Sequence, residues 1–599
     1  MVELGPDVVE ARRPPHPPPT PRPSSGEAPA RAERRRDLRP VAALATVVLA
    51  LSPLVWDLAR TAGDLRRTYL PWGDDALLEL NARDVLAGRQ LLGPYSRFGW
   101  HHPGPAEALV LSLPVRLAGH GAGLALGSGL WNLAIAAVIL TVVWRRHGTT
   151  AAVAASLAIG VVLAGGPPDT FRQPWNPYMV LLPMLLLLVL VGDVVGSSGV
   201  LARSAGDRAT PRAWSRTGVP SLAWAGLVGT FCVQTHVSTA PTVAVLLALG
   251  FVCLVVAGRR GRRSNNASRG WWRRPSALLA LGLTVALWTP PAWEAVTRHP
   301  GNPTLMARFF TAGNPGTPPR EAVKASLLAL SAFPYGFLPS AETSGRSRAS
   351  LLGGVGLLLV LGLVALGVVR RRRSGAAAGL VGVVGVAAVI AVIGNTRITG
   401  GIHDYLVVWQ ESITGALLIA VGVALGRPRW ESANARAPSS SAGPRRTSAP
   451  ARAPAPLILG LVGILLATGV TAHNLRFVHR GHPAPLDSNP GVEAAVAAVS
   501  PVLGPQDRRV LLLIQDCDAW PAAAGLAVAL EREGRAVAVD GARCSWGEFT
   551  VYFEEQRRRR GDETLEIEWA LPPPQGHPLT TTPFPGTFIN AVAGWRRLP

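Results

Sequence analysis

Long uncharged apolar runs alternate along this chain with short arginine-rich ones. The apolar runs lie at 40–58, 122–144, 149–166, 178–195, 220–236, 240–257, 276–293, 350–369, 375–394, 405–425 and 456–472. Each comes close to the ~20 residues a helix needs to cross about 30 Å of hydrocarbon. A helix pairs its own backbone groups, so the pattern predicts a mainly α, polytopic membrane protein of about eleven transmembrane helices. Two shorter stretches stand apart. Residues 76–88 put Leu78, Ala82 and Val85 on one helical face, and 105–119 is apolar but broken by Pro114 and carries Glu107 and Arg116. Both read as short helices, and the second, too short to span, is expected to lie at the membrane interface.

Basic residues decide orientation, because cytoplasmic loops retain them. The cluster Arg34, Arg35, Arg36 and Arg39 precedes the first run. Further clusters fall at Arg145–Arg146, 203–216, Arg259–Arg274, Arg370–Arg373 and 427–454. Alternation along the chain puts all of them on one side. The resulting expectation is a disordered cytoplasmic tail at 1–38 and a transmembrane domain at 39–472, with outer loops at 60–121 and 295–349. A soluble extracytoplasmic domain would follow at 473–599. In that last segment 491–503 and 519–533 read as helices, and 509–514 and 535–539 as strands. Strand, helix and strand at this spacing predict a small α/β unit with parallel strands. Its first strand is followed by Gln515, Asp516 and Asp518 rather than a glycine-rich loop. These are either ligand-binding groups at a strand's carboxyl end or loop and helix-cap carboxylates.

Composition changes the picture little. A net charge of +22 would suit a nucleic-acid partner, but the arginines sit in short clusters beside apolar runs, so none is expected. Of 59 basic residues Lys324 is the single lysine, a bias typical of GC-rich bacterial coding and consistent with a bacterial plasma membrane. Cys232 and Cys253 lie in apolar runs and read as inert. Cys517 and Cys544 lie in the C-terminal segment, either as a disulfide, if that segment is extracytoplasmic, or as two free thiols.

The stretch richest in chemistry is Pro71-Trp72-Gly73-Asp74-Asp75, followed by Tyr95-Ser96-Arg97-Phe98-Gly99-Trp100-His101-His102-Pro103-Gly104-Pro105. Two adjacent carboxylates just outside the first span could take a proton from an acceptor hydroxyl and align it on an anomeric carbon. Arg97, His101 and His102 could stabilise a phosphate leaving group. The plainer readings are a helix cap for Asp74 or Asp75 and water-satisfied interfacial histidines.

The order of these features resembles the GT-C superfamily of polyprenyl-phosphate-sugar glycosyltransferases. That group includes the protein O-mannosyltransferases, the aminoarabinose transferases of lipid A and the actinobacterial arabinofuranosyltransferases. The matching parts are a first span, an acidic pair opening an amphipathic helix, Ala82-Arg83 with Gly88, and a Pro-rich entry to an interfacial helix. The resemblance covers roughly 40–200, and His101-His102-Pro103-Gly104-Pro105 departs from the Lys-Pro-Pro of many relatives. It implies a membrane glycosyltransferase with a polyprenyl-phosphate-linked donor and an envelope glycan, lipid or protein acceptor. Asp74 or Asp75 would be the catalytic base, and either is compatible with a divalent cation such as magnesium or manganese.

Other outer-face groups fit that reading. Arg397, His403, Asp404 and Tyr405 resemble a segment that contacts the lipid phosphate in some relatives, or form an ordinary charged helix rim. Asp169, Arg172, Gln173, Trp175, Gln234, His236 and Glu411 are further polar or aromatic groups near that face. A transporter or flippase of envelope lipids and a non-catalytic scaffold displaying 473–599 are the competing classes. A transporter is expected to show broken helices or buried ionisable groups near the midplane, whereas polar residues here gather at one surface.

Overall fold

A computed structural model describes most of residues 39–331, 362–426, 465–476 and 489–540, with strands at 563–570, 582–583 and 592–597. Expectations for 1–38, 427–454, Arg97, Asp169, Gln515, Asp516, Cys517, Asp518 and Cys544 lie outside the described residues, as do large parts of the runs at 350–369 and 456–472.

The chain is mainly helical. In order come α1 (Arg39–Gly63), α2 (Gly73–Asp84), α3 (Ala106–Ala118), α4 (Ala122–His147), α5 (Thr149–Gly165), the single turn α6 (Asn176–Met179), α7 (Leu181–Ser197), α8 (Pro211–Thr235), α9 (Ala240–Arg263) and α10 (Pro275–Thr297). Then follow α11 (Asn302–Thr311), α12 (Pro319–Ser331), α13 (Gly375–Asn395), the short α14 (Asp404–Val407) and α15 (Glu411–Leu425). Among the described residues seven segments are long and apolar enough to cross a membrane, and Thr149–Gly165 is apolar but shorter. The protein is a polytopic helical membrane protein.

Lipid tails are as apolar as leucine, so helices in a membrane associate through close packing rather than water exclusion. α7 sits at the centre, with Leu181, Leu182, Leu185, Leu187 and Leu188 buried. Gly192 and Gly196 on α7 let α13 approach so closely that a Cβ on Gly379 would lie 2.4 Å from the Gly196 nitrogen. At the far side α10 turns Leu279, Leu281, Val285 and Trp293 outward, as a face meeting hydrocarbon should. Near the arginine-rich helix ends Asp193 is bonded by Arg146 and by His147 Nε2 at 2.7 Å, so this buried carboxylate is paired. Asp57 and Arg172 form a second buried pair, 3.2 Å apart.

The segment read as the outer loop 295–349 contains two helices among its described residues, α11 and α12. Both open at proline, Pro303 and Pro319, where the missing N–H costs nothing. α12 is locked to the bundle through Ser326, which accepts from Asn395 at 2.8 Å, and Asn395 in turn accepts from Gln410 at 3.0 Å.

The C-terminal unit contains α16 (Pro490–Val499), β3 (Val510–Ile514), α17 (Trp520–Arg532) and β4 (Val537–Asp540), with β5 (Glu563–Ala570), β6 (Thr582–Pro583) and β7 (Val592–Arg597). β4 and β5 both pair parallel to β3, with Val510 opposite Val537 and Glu563, and β7 and β6 extend the sheet antiparallel. The predicted parallel strand–helix–strand is present inside a five-stranded sheet.

α2 joins the two units. Its Leu78 and Ala82 belong to the core of the helical bundle. Its Ala76, Leu77 and Leu80 belong to the core of the C-terminal unit, with Val510, Leu512, Ala523, Ala524 and Ala527. The helix expected at 76–88 therefore begins three residues earlier, at Gly73, and is buried on two faces rather than one.

Candidate active site

α2 starts at Gly73, whose φ of 57° is in the left-handed region that glycine tolerates best. Trp72, not an aspartate, occupies the cap position, and Asp74 and Asp75 fill the first turn, where the helix dipole favours negative charge. The plain cap reading is thereby corrected. Successive helical residues diverge, and the two carboxylates have different surroundings. Asp74 lines a large cavity and accepts hydrogen bonds from the Tyr95 hydroxyl and the Trp175 indole. Burial raises its pKa above 3.8, and those two bonds act against the rise. Asp75 turns away and accepts from the Tyr69 hydroxyl; burial, then the neighbouring charge of Asp74, push its pKa to about 7.

The second wall of the cavity is the hairpin β1 (Tyr95–Ser96) and β2 (Trp100–His101), turned at Gly99 with φ 78°. Tyr95 pairs with His101 across it. Asn302, at the start of α11, copies a strand edge by accepting from the His101 N–H at 2.8 Å and donating to the His101 carbonyl at 2.9 Å. Glu294 holds Asn302 in turn, accepting its backbone N–H at 3.0 Å.

His102 follows the hairpin and is buried. Its Nδ1 accepts the Val237 N–H at 3.0 Å, which leaves the proton of the neutral ring on Nε2. The ring stacks on His236 at 5.3 Å, and His236 Nδ1 lies 2.6 Å from Ser238 Oγ. Burial lowers the pKa of both, for His236 to about 4, so the pair is neutral near pH 7. His101 is also buried, its Nδ1 3.3 Å from the Gly93 carbonyl.

The cavity measures about 700 Å³. Asp74, His101, His102, Arg397 and Tyr405 all line it. They come from the segment between α1 and α4 and from the segment between α13 and α15, some 300 residues on. Trp175 couples the two: it donates to Asp74 and its ring lies 4.8 Å from Tyr405. His403 is exposed, does not line the cavity and stacks on the outer side of Tyr405 at 5.5 Å. Phe98, Trp100, Phe309 and Phe310 build an aromatic wall, with Phe98 and Phe309 stacked at 4.6 Å.

From sequence alone Tyr95 has no assigned role and Trp175 is one of several outer-face groups. Both are direct partners of Asp74. Glu107, expected at a membrane interface, is fully buried, and neither carboxyl oxygen has a hydrogen-bond partner among the described residues. Burial, with Asp74 nearby, holds its pKa well above the ordinary range, so it is a neutral acid behind the site. Among the described residues no three His, Cys, Asp or Glu side chains converge as a metal site would need.

The fold and cavity define a membrane protein whose polar site opens among helix ends and short helices at one end of the bundle. No family model and no curated protein matches the chain. Two solved structures resemble it, both of ArnT from Cupriavidus metallidurans. The form bound to undecaprenyl phosphate is 17% identical over 88% of this chain and 92% of that one, with a TM-score of 0.47. The apo form is 17% identical over 88% and 93%, with a TM-score of 0.46.

Proposed function

We propose that this protein is a GT-C-type membrane glycosyltransferase, moving a sugar from a polyprenyl-phosphate carrier to an envelope acceptor on the outer face of a bacterial plasma membrane. The observation that carries the reading is the convergence of one accessible carboxylate, neutral imidazole donors and the Arg397 guanidinium on a cavity walled by aromatic rings. Asp74 takes the proton of the acceptor hydroxyl, and the acceptor oxygen forms its bond to the anomeric carbon as the bond from that carbon to phosphate oxygen breaks. His102 offers a donor from Nε2, and Arg397 a positive charge, to the phosphate that leaves. Trp100, Phe98 and Phe309 supply apolar surface for a sugar face or the first isoprene units. Tyr95 and Trp175 fix the carboxylate so that the attack is aligned before the substrate arrives.

The C-terminal unit stands on the same side of the membrane as the cavity in this reading, and the arginine-rich helix ends face the cytoplasm. The test is stereochemical. Purified protein in lipid discs would be given radiolabelled lipid-linked sugars from the host with an envelope extract. Transfer that depends on Asp74 and inverts the anomeric configuration supports displacement by an activated hydroxyl, and retention of configuration refutes it.

A further inference from the structure

The base is held from two directions, and one of them comes from the far end of the sequence. Trp520 opens α17 in the C-terminal unit. Its ring meets Tyr95 edge-on, with centroids 5.5 Å apart, and Tyr95 donates to Asp74. The same ring and Pro521 also lie beside the residue before Asp74: a Cβ built on Gly73 would be in ordinary van der Waals contact, 3.8 Å from the Trp520 ring and 3.7 Å from Pro521 Cβ. Around this contact α17 is fixed to the α2 region at further points. Arg532 bonds both oxygens of Glu79 and also donates to the Tyr69 carbonyl. Gly525 lies so close to Pro71 that a Cβ there would be 2.7 Å from its carbonyl oxygen. Ahead of α16, the Asn489 N–H donates to the Leu70 carbonyl at 3.1 Å.

A unit that only displayed a binding surface would have no need to share a core with α2 or to touch Tyr95. We infer that Trp520 is a positioning residue for Asp74, acting through Tyr95, so that the C-terminal unit sets the geometry of the base. This rests on the transferase reading above. The edge-on contact with Trp520 supports the Tyr95 ring from the side of the C-terminal unit. Without the ring, the hydroxyl loses its fixed line to Asp74 while the walls that hold the donor stay in place. A misplacement on the order of 1 Å costs up to about a hundredfold in rate.

The test uses the full chain in lipid discs, with the host's lipid-linked sugars as donor, and compares wild type with Trp520→Ala, Trp520→Leu, Trp520→Phe, Tyr95→Phe, Asp74→Asn and the double variant Trp520→Leu/Tyr95→Phe. Leucine fills the space at Gly73 without supplying a ring edge, so it separates loss of packing from loss of the aromatic contact. The expected result is a fall in kcat of about tenfold or more for the Ala and Leu variants, with the donor KM within about twofold, and a largely restored rate for Phe. The double variant is expected to lose no more than the worse single, because both act on one bond. Wild-type kcat in Trp520→Leu, a change confined to KM, or additive losses would overturn the inference. If Asp74→Asn keeps the wild-type rate, the transferase reading itself fails; if Asp74→Asn is inactive while the Trp520 variants are fully active, only the positioning role fails.

Discussion

Replacing Glu79 with Gln removes one negative charge from a place where two guanidinium groups depend on it. Arg532 Nε donates to Glu79 Oε1 at 2.8 Å and its Nη2 bonds Oε2, while Arg83 Nε donates to Oε1 at 2.9 Å. The Glu79 side chain is 0% exposed and that of Arg532 6%, so Arg532 cannot turn to water when its partner is neutralised. Arg83, at 25%, can. Removing one partner of a buried pair costs ~3–5 kcal/mol, against at most ~1 kcal/mol for a surface pair. Because Arg83 escapes, the lower end applies, about 3 kcal/mol, which is more than a hundredfold in the equilibrium for opening the contact between α2 and α17. Hydrogen exchange in lipid discs, resolved by mass spectrometry, reads that equilibrium directly. The expected result is about a hundredfold faster exchange in α2 and α17 with α7 unchanged. Acceleration below about fivefold would mean that the pair behaves as a surface pair, and the account of α2 as the joint between two cores would be wrong.

Asp75→Asn tests the second carboxylate. Folding raises the pKa of Asp75 from 3.8 to about 7, so the folded state binds the proton more tightly. The associated stability is complete below about pH 4 and is lost as pH rises through about 7. The Asn variant should flatten the fall in melting temperature across that window, and an unchanged slope would refute the assignment. Tyr95→Phe removes a bond to the charged form of Asp74, so the acid limb of kcat/KM should move to higher pH, and a limb that stays in place would exclude Tyr95 as its partner. Asn302→Ala frees the edge of β2 and leaves buried backbone groups unpaired, at a cost of ~1–3 kcal/mol. It should raise the donor KM more than it lowers kcat, and an unchanged KM would show that α11 does not shape the cavity.

Seven of the spans and the helix α3 were legible because each is written in a local run of apolar residues. The hairpin was not read from the sequence, and α2 was partly legible, since Leu78, Ala82 and Val85 mark only the face toward the bundle. The other face, Ala76, Leu77 and Leu80, is buried by residues more than 400 positions away, and nothing nearby in the sequence predicts that. The same limit hid Tyr95 and Trp175, whose roles arise only when Asp74 is brought between them. It also hid the pairing of Asn302 with His101, which spans 201 residues. Helices α11 and α12 did carry a local signal, proline at the helix start in Asn302-Pro303 and at Pro319, which reading 295–349 as one loop passed over. Asp74 and Asp75 were equivalent as sequence; the helical turn separates them, leaving one in the cavity and one against Tyr69.

The central claim is that Asp74 is the base of a sugar transfer from a lipid carrier. Its most direct test is Asp74→Asn in the native host, with membrane levels of the protein verified and lipid-linked sugars and envelope glycans profiled together. The account predicts loss of one envelope linkage with accumulation of the corresponding lipid-linked sugar. An unchanged profile at normal protein levels would contradict it and return Asp74 to the role of a helix-stabilising carboxylate.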